Sequence, residues 1–120
     1  MSRKPKFKPN SATRVFVSNE AGDDEEFDIC LGEKITGSES LLITQDLDNP
    51  KLFQLTHRNT GYALLRTALD YPETRDRGEK FWSRLPDKIR ELYDVSGDPA
   101  IIYASTPAHL RNAVRSGKFE

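Results

Sequence analysis

The sequence predicts an α+β fold: a four-stranded antiparallel meander plus one further strand, with helices packed on one face of the sheet. Three observations lead there. Four short β-rich segments, separated by turn-rich runs, fill the first half of the chain. The apolar period changes from two to a helical spacing near residue 60. Beyond that point, prolines and glycines punctuate segments of helical length. The 120 residues suit one domain, and 36% hydrophobic against 31% charged content means a modest core under a charged surface.

Residues 12–18 (ATRVFVS) carry β-branched and aromatic side chains without a breaker and predict a strand. Residues 19–25 form an acidic turn around Gly22. Residues 26–31 (EFDICL) alternate, with Phe27, Ile29 and Leu31 on one side and Asp28 and Cys30 on the other, as in a half-buried strand. Residues 32–40 are a polar connector. A third strand follows at 41–45 (LLITQ), a turn at 46–50 (DLDNP), and a fourth strand at 51–58 with Phe53, Leu55 and His57 on one face.

Residues 60–71 place Tyr62, Leu65, Ala68 and Leu69 on one helical face, and Pro72 ends that helix. A second helix over 73–85 uses Phe81, Trp82 and Leu85. A third over 87–95 clusters Ile89, Leu92 and Tyr93 behind Pro86. The run Ser96-Gly97-Asp98-Pro99 is a break. The continuously apolar residues 100–104 (AIIYA) predict a buried fifth strand. Thr106 is the expected N-cap of a last helix over 107–116, with Pro107 at its first position and Gly117 beyond its end.

No apolar run approaches the ~18 residues of a membrane span. The basic N-terminus lacks the apolar region of a secretory signal, so a cytoplasmic setting is expected. One cysteine excludes an internal disulfide and any multi-cysteine zinc site. Acidic neighbours disfavour a reactive Cys30 thiolate. Asp23, Asp24, Glu25 and Glu26 lack the alternation of a calcium loop. His57 and His109 have no metal-ligand spacing, and His57 fits a hydrogen-bonded strand histidine. No nucleophile–base pair, cofactor motif or metal cluster appears, so a non-enzymatic role is expected, without cofactor.

A net charge of −1 conceals a segregation. Residues 1–14 carry five positive charges (Arg3, Lys4, Lys6, Lys8, Arg14) and no negative one. Residues 20–33 carry seven acidic groups and no basic one. Residues 1–11 are expected to form a flexible basic arm and 12–120 a single domain. The size and motif-poor, charged layout are those of small accessory proteins, phage-encoded ones included.

Two functions follow from this layout. The first is binding of single-stranded DNA or RNA. Arg3, Lys4, Lys6, Lys8 and Arg14 would neutralise phosphates, helped by Arg111, Arg115 and Lys118 of the last helix and its tail. Phe7, Tyr62 or an exposed member of the Phe81–Trp82 pair would stack on bases. No helix-turn-helix, zinc finger or RNP-type motif argues for base-specific duplex reading. The alternative is a protein-binding adaptor or inhibitor that offers its acidic hairpin tip, residues 20–26, to a basic partner. A sheet edge or an exposed Phe81 or Trp82 could also pair two copies.

Overall fold

A computed structural model of the chain describes residues 6–17 and 26–119. Arg3, Lys4 and residues 20–25 of the acidic tip lie outside the described residues. Four strands run antiparallel in chain order: β1 (Ser11–Val17), β2 (Glu26–Lys34), β3 (Leu41–Gln45) and β4 (Phe53–His57). Four helices follow: α1 (Tyr71–Arg84), α2 (Asp87–Val95), α3 (Pro99–Ser105) and α4 (Ala108–Ser116). The α+β class and the four-stranded meander hold. No helix among the described residues is long and apolar enough to cross a membrane.

The sheet has a projecting half and a covered half. β1 and β2 pair along their whole shared length, from Ser11↔Gly32 to Val17↔Glu26, whereas β2 meets β3 only at Gly32, Glu33 and Lys34. The outer part of β2 therefore belongs to a two-stranded ribbon. The burial expected for Phe27, Ile29 and Leu31 fails there: Ile29 is 72% exposed, Leu31 61%, and Phe27 is half-buried. They share a face, as alternation demands, but most of that face has no cover.

β3 is the opposite case. Leu41, Leu42, Ile43 and Thr44 are all buried, so both of its faces are covered. Leu41 and Ile43 join Phe53, Leu55, Ile35, Phe81 and Tyr93 in the main core. On the other side, Thr44 and Thr56 share a buried hydroxyl–hydroxyl hydrogen bond of 2.9 Å, which satisfies two groups that would be costly alone. That second face is covered because the sheet curls. The Phe16 N–H donates to the Gly61 carbonyl (2.7 Å), and the Arg14 guanidinium donates to the Asn59 carbonyl (3.1 Å), so β1 closes onto the turn after β4. Gly61 has φ +76°, and a Cβ there would sit 2.8 Å from the Phe27 ring. Only glycine fits that closure.

The helix expected over 60–71 does not form. Residues 61–69 run back along β4 through the Leu64 N–H to Leu55 and the reciprocal Phe53–Leu69 bonds. Pro72 starts a helix where it was expected to end one. Asp70 is the N-cap of α1, its side chain accepting from the Glu73 N–H, and Pro72 stands in the first turn. The fifth strand expected over 100–104 is instead α3, for the same reason. Asp98 caps it by accepting from the Ala100 N–H, and Pro99 opens it. Of its apolar run only Ile102 is buried, while Ile101 and Tyr103 face outward, as on a surface helix.

α1 lies on β3 and β4, and α4 packs on α1. Gly78 permits the close approach: a Cβ there would fall 2.7 Å from Ile35 Cδ1 and 2.8 Å from Leu55 Cδ2. Phe81 and Trp82, although adjacent, are both core residues. Phe81 is fully enclosed, and Trp82 packs against Tyr93 while its Nε1 donates to the Gly37 carbonyl (3.2 Å). Neither offers a stacking surface.

Candidate functional site

The basic arm and the last helix stand apart. Within the arm, Lys6 and Lys8 are exposed, but Phe7 packs on Phe53 (5.0 Å between ring centroids) and Tyr71 (6.0 Å). The Lys8 N–H donates to the Glu33 carboxylate, and the Asn10 N–H donates to the Gly32 carbonyl (2.9 Å). The chain is thus held from residue 7 onward, to β4 and α1 through Phe7 and to β2 through Lys8 and Asn10, inside the span expected as a free arm. Phe7 is an anchor of that tie and not an open ring. Tyr71 donates its hydroxyl to Glu33; burial, then Glu33, pushes the tyrosine up to about 12.

At the other end of β4 the structure gathers several of the expected residues. The Arg14 guanidinium lies 4.8 Å over the Phe27 ring, and Phe27 pairs with Phe16 across the ribbon. Tyr62 stacks on Phe16 at 4.7 Å with the rings 12° apart, and meets Phe27 edge-on. Tyr62 also lines a cavity shared with Tyr103, Arg111 and Arg115. Arg14, Tyr62, Arg111 and Arg115 therefore lie along one aromatic and basic track. Lys118 lies off it, in a separate groove with Arg84, His109 and Phe119.

α3 and α4 position the track's far end. Arg111 Nη1 donates to the Tyr103 carbonyl (2.7 Å) and the Thr106 carbonyl (3.2 Å), where α3 ends and its dipole favours a cation. The guanidinium then lies 4.1 Å over the ring of Tyr103, which is 54% exposed. Arg115 follows one turn later. Neither arginine forms an ion pair among the described residues. Residues 99–119 contain no aspartate or glutamate. The middle helices differ: Arg75, Arg77, Lys80 and Arg90 each pair with a carboxylate of their own helix. Arg77 also donates to the Val114 and Arg115 carbonyls, closing the end of α4 beside Gly117 (φ +78°).

Thr106 does not cap α4, whose start has no side-chain cap. Its hydroxyl turns back to the Ile102 carbonyl (2.6 Å) and accepts from the Tyr93 hydroxyl (2.6 Å), ending α3. His57 is a buried structural histidine. Its Nε2–H donates to the Tyr93 carbonyl (2.6 Å), so Nδ1 accepts from the Thr60 hydroxyl (3.0 Å). Burial holds it below the ordinary histidine value, against the pull of the Tyr93 carbonyl and Asp94. Burial, then Asp28, raises the Cys30 thiol, which leaves little thiolate. Among the described residues no three His, Cys, Asp or Glu side chains come together as a metal site.

Comparison with family models, with curated proteins and with solved structures gives no match.

Tyr103 was hidden in the sequence by its apolar neighbours. The signal that exposes it is Asp98-Pro99, a helix start, after which residues 101 and 103 fall away from the buried Ile102.

Proposed function

We propose that this chain is a non-enzymatic protein that binds single-stranded nucleic acid along the track from Arg14 through Tyr62 to Tyr103, Arg111 and Arg115. The observation that carries the reading is the Arg111–Tyr103 stack, an exposed ring under a cation in a stretch of 21 residues without a carboxylate. Single strands are held by such pairings of cations, which neutralise phosphates, with aromatic faces, on which bases stack. The strand carries no base-reading requirement here, because the track offers rings and guanidinium groups and few fixed polar contacts. The arm lysines, rooted at the Phe53 end of β4, would add phosphate contacts at a distance from the track. In the alternative adaptor reading, residues 20–25 of the acidic tip lie outside the described residues and Glu26 opens β2.

The test is salt-dependent binding of a fluorescent single-stranded 20-mer. Alanine at Arg14, Arg111 and Arg115 together should weaken binding across sequences. It should also lower the slope of log affinity against log salt by about 2, from ~0.7 per phosphate contact. Lys4, Lys6 and Lys8 changed together should act independently of that triple. No binding at ~50 mM salt and micromolar protein would refute the reading.

A further inference from the structure

The cavity beneath the track has a chemistry that a nucleic-acid strand does not explain. It holds about 200 Å³ between the end of β4, the segment 60–64 and the four helices. Its apolar lining includes Leu64, Phe81, Ile102 and Val114. The four buried polar side chains of the lining are all committed. His57 uses both ring nitrogens on Thr60 and Tyr93, the Tyr93 hydroxyl goes to Thr106, and the Thr106 hydroxyl goes to the Ile102 carbonyl. None of these four is left for an occupant. A nucleobase, with donors and acceptors around its edge, would lose its water partners there and gain none.

Size and charge narrow the occupant further. An apolar cavity of about 150 Å³ stays dry and admits benzene, so this one has room for one ring or a compact fused pair. Arg111 and Arg115 also line it, half-buried and without a carboxylate partner among the described residues. Arg111 spends one nitrogen on carbonyls of the α3 end, and a guanidinium has five N–H groups to give.

We infer that the cavity binds a small amphipathic acid, its apolar ring inside and its single anionic head on Arg111 and Arg115. The inference does not depend on the nucleic-acid reading, although an acid on these arginines would compete with a strand for them.

The experiment uses the full chain without nucleic acid, phenylacetate and indole-3-acetate as probes, and phenylacetamide as the uncharged counterpart. Amide NMR shifts locate binding, and calorimetry measures it. Both acids should move the resonances of Leu64, Ile102 and Val114. Phenylacetamide should bind at least about tenfold more weakly, the size of a lost charge-assisted hydrogen bond. Arg115→Gln should weaken the acids similarly with an unchanged melting temperature; if that variant does not fold, the amide comparison decides alone. No shift at about 10 mM acid overturns the inference, as does equal binding of acid and amide. Shifts confined to the outer face of α4 would overturn it, and so would uridine monophosphate entering where both acids fail.

Discussion

The β1–β2 ribbon and the β3–β4 pair make an instructive contrast. β2 shows the cleanest apolar alternation in the chain, and yet Ile29 and Leu31 lie in solvent. β3 shows no alternation over Leu41–Thr44 and is buried on both faces. Periodicity states which side chains share a face. Whether anything covers that face depends on what packs over it: α1 lies on β3 and β4, whereas β2 runs on past the three residues that pair with β3. Stability should therefore be concentrated at β3, β4 and α1, and nearly absent from the ribbon's open face.

The largest expected effect tests the covered half. Phe81→Ala should remove about 3–5 kcal/mol, a large part of the ~5–15 kcal/mol available to a domain of this size, measured by urea denaturation. A neutral result would mean that α1 does not seat on the sheet. An intermediate effect comes from His57, which links β4 to α2. The folded state favours the neutral ring, whereas the unfolded chain takes up its proton near the ordinary value of about 6.5. Stability should be complete above that pH and fall as pH drops through it toward the lowered folded value. Melting curves between about pH 7.5 and 5 check the sign, and a rise in stability on acidification in that range would show a charged partner at His57. The smallest effect belongs to the ribbon: Ile29→Ser and Leu31→Ser should each change stability by no more than about 0.5 kcal/mol. A loss comparable to that of Phe81→Ala would mean the open face is covered in solution, and the contrast would collapse.

Much of the fold was legible. The boundaries of β3 and α2 follow from their sequences, as do the buried set Leu110, Ala113 and Val114 and the left-handed Gly117. Two of the departures share one physical root. Asp70 with Pro72, and Asp98 with Pro99, start helices, although at these two places the sequence pattern reads proline as a break. Proline lacks only the N–H that a first turn leaves unpaired anyway, so its meaning depends on the capping residue before it. Misplacing α3 hid Tyr103. For the candidate site, Arg14, Tyr62, Arg111 and Arg115 were identifiable by charge and ring type. Their convergence was not, because it rests on the curl that brings β1 to Gly61, a contact without a local sequence signal.

That curl also bears on the order in which the chain acquires its structure. The contacts joining β1 to the turn after β4 span 45 residues, as between Thr13 and Arg58. Closing such a loop costs about 3 kcal/mol of chain entropy, scaling as the logarithm of its length. β3 and β4, by contrast, are joined by a short turn at Asp46–Asp48–Asn49 with its own Asx bonds. The hairpin can assemble from near neighbours, whereas seating α1 on it joins residues as far apart as Gly37 and Trp82, also 45 positions. The β1 closure and the seating of α1 are thus both long-range steps, and the β3–β4 hairpin is the piece that needs only near neighbours.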